Sequence, residues 1–158
     1  MEIEIFADNL TKKDISPNYH RSARALVLRE DKILLIHSKT EDFYLLPGGG
    51  IEVNETPETA VVREMLEETG YQVNVIKKTV IIKEYYPDSS WEAHFFLVEI
   101  ANEEKIEPML TQEEKDLDFE LIWFELFEAL SLLDSHYSAF PKATNIMQRE
   151  FLAIINSL

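Results

Sequence analysis

The sequence predicts an α/β fold, a mixed sheet covered by helices on both faces in an α/β/α sandwich. Short runs rich in Val, Ile, Leu, Phe and Tyr alternate along the chain with segments of helical periodicity. One amphipathic helix lies between strands, with further strands after it. A length of 158 residues with 46% hydrophobic content suits a single domain spanning 1–158 with a sizeable core. No internal repeat, low-complexity segment or inter-domain linker interrupts it.

Residues 1–20 alternate Ile3 and Ile5 with Glu2 and Glu4, then turn polar up to Pro17, which reads as an N-terminal arm or an edge strand. Ala23–Leu28 and Ile33–Ile36 form two apolar runs joined by Arg29-Glu30-Asp31-Lys32, a hairpin with a charged turn. Arg24, inside the first run, either points into a phosphate site or faces outward to pair with a surface acid. Phe43–Leu46 is a short strand feeding Pro47-Gly48-Gly49-Gly50. Glycines there let backbone approach a ligand closely, so the expectation is a metal-facing loop. No Gly-Lys-Ser/Thr follows, which rejects a Walker phosphate loop.

The segment GGIEVNETPETAVVREMLEETGY, Gly49 to Tyr71, is a loop running into a helix. Thr56 is the expected N-cap, Pro57 the first helical residue and Gly70 the stop. At about 100° per residue, Glu64, Glu67 and Glu68 fall within an arc of roughly 100°, with Val62, Leu66 and Thr69 opposite and Met65 at the edge. Acids at that spacing alone are usually a solvated face. The full spacing says more. Gly49, five residues, Glu55, seven residues, Arg63-Glu64, then Glu67-Glu68 and Gly70 resemble the Nudix box, Gly-x5-Glu-x7-Arg-Glu-U-x-Glu-Glu-x-Gly-U with U a bulky aliphatic. Tyr71 departs from the last aliphatic position. Asn54 stands where many members carry glycine, and asparagine tolerates the positive φ that such a loop needs.

Beyond the box, Val73–Tyr86 and Trp91–Ile100 read as long paired strands turned by Pro87-Asp88-Ser89-Ser90. Asn102–Lys115 reads as an acidic loop, Phe119–Phe124 as a strand and Glu125–Leu133 as a short helix. A last helix opens near Pro141 and carries Ala143, Ile146, Met147, Phe151, Ile154 and Ile155 on one stripe. The stripe is most simply core packing, and it could also serve as a homodimer contact.

Composition narrows the partners. A formal charge of −15 argues against a nucleic-acid polymer, while carboxylate-held divalent ions can still attract a small phosphorylated substrate. Zero cysteines exclude thiol catalysis and fit a reducing cytosol. No run is apolar enough for a membrane span and MEIEIFADNL lacks the features of a signal peptide, so the expected location is cytoplasmic. His20, His37, His94 and His136 show no metal-ligand spacing.

The resemblance implies a Nudix hydrolase with the same sandwich fold, Mg2+ as cofactor and Mn2+ as an alternative. By resemblance Glu64, Glu67, Glu68 and the Gly48 carbonyl hold the metal, and Arg63 with Glu55 supports the loop against the helix. The base that takes a proton from water is a box acid, Glu67 or Glu68, or an acid on the later loop, where Glu114 is favoured over Glu113. The implied reaction is hydrolysis of a phosphoanhydride in a nucleoside diphosphate linked to another moiety: a nucleoside triphosphate, nucleotide sugar, ADP-ribose or dinucleoside polyphosphate. Pro87, sixteen residues after Tyr71, matches a signature of ADP-ribose hydrolases, whereas Tyr85 and Tyr86 match one of dinucleoside polyphosphate hydrolases. These cues conflict. Tyr86 or Trp91 could stack on a base. The rivals are a prenyl isomerase, disfavoured by the missing cysteine, and a module that senses nucleotide sugars without cleaving them.

Overall fold

The computed structural model describes residues 1–7 and 9–158. Strand β1 (Glu2–Phe6) and a 3-10 turn at Lys12–Asp14 precede β2 (Tyr19–Arg29) and β3 (Lys32–Ser38). Next come β4 (Phe43–Leu45), β5 (Gly48–Gly50) and helix α1 (Pro57–Thr69). Long strands β6 (Gln72–Tyr85) and β7 (Ser90–Asn102) follow. Helix α2 (Gln112–Asp116), strand β8 (Phe119–Glu125) and helices α3 (Leu126–Ser135) and α4 (Ala143–Ser157) complete the chain.

The eight strands form one mixed sheet in the order β1-β6-β7-β2-β3-β4, with β5 added to β2 and β8 to β3. β2 is its centre. It runs parallel to β7 from Tyr19↔Ser90 to Val27↔Val98, while β6 and β7 are antiparallel. The expected β2–β3 hairpin is paired only at Leu28↔Ile33 and Arg29↔Lys32. Beyond that corner the strands part, because β3 turns to pair with β4 and β8.

Successive strand residues point to opposite faces, and each face has its own core. Leu26, Ile33, Leu35, Phe95, Met147 and Ile154 pack on the side of α3 and α4. Ala25, Val27, Leu34, Phe96, Val98 and Met65 pack on the side of α1. This is the predicted sandwich. Its central strands are apolar on both faces because helices cover both.

Helix α1 has the expected ends. Thr59 N donates to Thr56 Oγ1 at 3.1 Å, Pro57 is the first residue, and Gly70 takes φ 79° as its N–H donates to Leu66 O. Asn54 adopts the positive φ expected of it, 65°. The buried face is shifted from the expected one. It comprises Ala60, Val61, Met65, Glu68 and Thr69, whereas Val62 is exposed. The helix packs under both β2 and β6, so the covered arc turns towards Val61 and Met65 and takes Glu68 with it. Two further expectations are corrected. Gly48–Gly50 is a strand on β2, and the acidic loop contains α2, started by a reciprocal capping box between Thr111 and Glu114. On α4 the expected stripe buries Ala143, Met147 and Ile154 but leaves Ile155 exposed, and it omits Arg149 and Glu150, both buried. Among the described residues, no helix is long and apolar enough to cross a membrane.

Candidate active site

The site is a cleft of about 790 Å³ between the Gly48–Gly50 strand, the exposed side of α1, the β6–β7 turn, α2 and the start of α4. Its lining is chemically mixed: Glu64, Glu68, Glu114 and the glycine strand share it with Phe43, Phe140, Tyr86 and Trp91.

Among the acids, Glu68 is 5% exposed and its Oε1 accepts the Gly48 N–H at 2.9 Å. Burial pushes its carboxyl well above the usual range, and the neighbouring Glu114 adds to the effect. Partial burial also pushes Glu114 up, but hydrogen bonds from Glu68 and from Thr111 outweigh it and hold Glu114 low. The two neighbouring acids are thus pushed in opposite directions, Glu68 up and Glu114 down. Burial likewise raises Glu64. A Cβ added at Gly49 would lie 2.6 Å from the Glu64 carboxylate, so only glycine lets strand and carboxylate come this close.

Arg63 hydrogen-bonds Glu55 across the junction of loop and helix. Arg63 Nη2 also donates to Gly50 O at 2.9 Å, and its Nη1 reaches Glu64 Oε1 at 2.7 Å and Glu67 Oε2 at 3.1 Å. Glu67 is therefore beside the site but outside the residues that line the cleft. Among the described residues, no three acidic or histidine side chains already converge as a ligand shell. The donor set nevertheless fits a hard cation: oxygen atoms only, with buried Glu68 and partly buried Glu64 both raised by desolvation, which a bound cation would offset.

Arg24 settles on the inward alternative. Its Nη1 donates to Leu46 O at 3.0 Å and Gly48 O at 3.5 Å, and its buried Nε has no partner. Burial lowers its pKa and nearby Arg149 lowers it further. Tyr86 lines the cleft, and its hydroxyl donates to Glu84 Oε1 at 2.7 Å. The sequence reading missed Glu84, Arg149 and Glu150, a buried ionic cluster in which Arg149 lies between the two acids and of which Glu84 and Arg149 line the cleft. A charged pair within the otherwise apolar stripe of the last helix was the available signal.

A NUDIX domain family profile matches residues 18–143, which takes in β2 through the start of α4. The chain belongs to the NUDIX domain family. It is 44% identical over 70 residues to a MutT-like protein of Streptomyces ambofaciens, covering 43% of this chain and 46% of that protein. It is 50% identical over 48 residues to an ADP-ribose pyrophosphatase of Methanocaldococcus jannaschii, covering 28% of each. A diphosphoinositol polyphosphate phosphohydrolase of Mus musculus shares 28% identity over 109 residues, covering 68% of this chain and 63% of the mouse protein. The chain spans about half the length of several curated relatives that it matches. Among solved structures, a NUDIX hydrolase from Nitrosomonas europaea superposes with TM-score 0.65 at 20% identity, covering 86% of this chain and 90% of that one. At that identity the likeness concerns the fold.

Proposed function

We propose that this NUDIX chain hydrolyses a phosphoanhydride bond in a nucleoside diphosphate linked to another moiety, with Mg2+ as cofactor and Mn2+ as an alternative. One observation carries the reading: Glu64, Glu68, Glu114 and Arg24 line the same cleft, beside a glycine strand with room for a ligand. Glu64, Glu67, Glu68 and the Gly48 carbonyl would hold the divalent ion, with Glu67 exchanging its contact to Arg63 for it. Bound there, the ion would neutralise phosphate charge and acidify water.

The chain's own residues supply the rest. Glu114, whose carboxyl is held low by its hydrogen bonds, is the preferred acceptor for the proton of the attacking water; the box acids Glu67 and Glu68 are the alternatives. Arg24 lines the cleft, and its guanidinium charge would draw a substrate phosphate towards the glycine strand. Tyr86, held by Glu84, and Trp91 give an aromatic wall for a nucleobase. Glu55 and Arg63 keep loop and helix in register. The molecules in the relatives' names, ADP-ribose and diphosphoinositol polyphosphates, share a phosphoanhydride, which supports the bond class more than any one substrate. A small nucleotide fits the enclosed cleft and the −15 charge better than a polymer does. We place the reaction in the cytoplasm, consistent with a chain free of cysteine.

The test is phosphate or monophosphate release from a panel of nucleoside triphosphates, nucleotide sugars, ADP-ribose and dinucleoside polyphosphates, with Mg2+, with Mn2+ and with chelator. Cleavage of one class that stops in chelator is the expected result. Tight binding of nucleotide sugars with no cleavage anywhere in the panel would replace it with a sensing role.

A further inference from the structure

The segment Leu46-Pro47-Gly48 carries the carbonyl assigned above to the metal, and its backbone is held at four consecutive points. Glu150 Oε2 accepts the Leu46 N–H at 3.3 Å, and Arg24 Nη1 donates to Leu46 O at 3.0 Å. Ala25 N–H donates to Pro47 O at 2.8 Å, and Glu68 Oε1 accepts the Gly48 N–H at 2.9 Å. Three of these holds come from β2 or the box helix. The fourth comes from α4, across 104 residues of sequence.

Glu150 is fully buried, and so is Leu46. Strand β4 ends at Leu45, so the Leu46 N–H has no ladder partner, and no water reaches it. The acid is itself fixed from behind. Arg149 Nε donates to Glu150 Oε1 at 2.9 Å, and Arg149 Nη1 reaches Glu84 Oε2 at 3.4 Å. A buried ionic cluster is a poor way to gain stability, since apolar side chains of similar volume do as well or better. What the carboxylate adds is an aimed acceptor at one backbone group of the metal-facing segment.

We infer that Glu150 is a positioning residue: from α4 it fixes Leu46-Pro47-Gly48, and through that segment the direction of the Gly48 carbonyl and the seat of Arg24. The inference rests on the metal role proposed for Gly48. It extends the site from the box to Glu150 on the last helix, a residue beyond those that match the family profile.

The experiment measures binding of Mn2+ alone to the full chain, by the loss of the free-ion resonance, together with the melting temperature. Glu150→Leu should weaken Mn2+ binding about tenfold, the scale expected of a group that orients a ligand. Glu150→Asp keeps the charge for Arg149 but draws the carboxylate back from Leu46, and should weaken binding as well, which keeps the test alive if the leucine variant does not fold. Glu150→Gln retains an oxygen for the Leu46 N–H and should bind close to the wild type. Leu133→Ala, a core deletion in α3, should lower the melting temperature and leave Mn2+ affinity unchanged. Wild-type affinity in both Glu150→Leu and Glu150→Asp, or equal weakening in Leu133→Ala, overturns the inference. A wild type that binds no Mn2+ overturns instead the metal reading on which it rests.

Discussion

Arg63 grips both oxygens of Glu55, Nε to Oε1 at 2.7 Å and Nη2 to Oε2 at 2.9 Å. Glu55 in turn accepts the Glu52 N–H at 2.9 Å, so a single fork ties the box loop to the box helix. Hydrogen bonding to Arg63 holds the Glu55 carboxyl below its ordinary range.

Lysine cannot reproduce that fork, because it offers a point charge where the site uses planar donors. Arg63→Lys should therefore cost about 2 kcal/mol, the usual worth of hydrogen bonds to charged groups. For a chain of this size that lowers the melting point by about 4–8 °C. Turnover should fall with it, since the glycine strand loses the donor to Gly50 O.

Glu68 and Glu67 separate stability from function. Glu68 is buried with its charge disfavoured, so Glu68→Gln should leave the melting temperature in chelator unchanged or raised. Glu67 is more open and pairs with Arg63, so Glu67→Gln gains nothing in stability. Both should lose at least two orders of magnitude in metal-dependent turnover, read as kcat/KM. Unchanged turnover in both variants removes them from the site.

Gly70 is restricted twice, by φ 79° and by space. A Cβ there would lie 2.1 Å from Ile106 O. Gly70→Ala should cost at least about 1–3 kcal/mol through strain alone. It should also loosen the segment pinned to the end of α1, where Ile106 N donates to Gly70 O at 3.0 Å and Met109 N to Glu67 O at 2.6 Å. Faster hydrogen exchange at the Ile106 and Met109 amides would report this, and activity should drop because Glu114 lies just beyond.

His94 predicts a pH dependence. It is 4% exposed, its Nδ1 has no partner, and its Nε2 meets Glu92 at 2.5 Å. Burial lowers its pKa below 6.5, outweighing Glu92, with Lys78 and Arg21 pushing the same way. The unfolded chain thus takes up the proton first as pH falls. This contribution is present above about pH 6.5 and is lost as pH drops through the depressed folded value. Melting curves from pH 7.5 to 5.5 should show the loss, and His94→Gln should flatten it.

Much of the box was legible because its constraints are local. Thr56, Pro57 and Gly70 act on neighbouring backbone, and the Glu55 to Arg63 spacing is the reach from a loop to the next helical turn. Asn54 followed from its tolerance of positive φ. What escaped depended on distant partners. Val62 was expected inside and lies outside because β6, not only β2, sets which arc of α1 is covered. Arg24 could not be oriented from its own strand, whose flanking residues are buried on both faces; the Leu46 and Gly48 carbonyls determine its direction. Arg149-Glu150 in a helix reads as a solvated pair until Leu46 and Glu84 are brought against it.

The parallel seam between β2 and β7 also shapes how the molecule must form. Strand β2 has its one long partner in a strand that begins at Ser90, with the whole box lying in between. That connection has to close before the centre of the sheet exists, and such non-local closures slow folding. During synthesis, a nascent chain that stops short of β7 would carry Glu64, Glu67 and Glu68 on a helix without the completed sheet beneath it. The catalytic geometry should therefore arise late and all at once, and a fragment ending at Tyr71 should not inherit it.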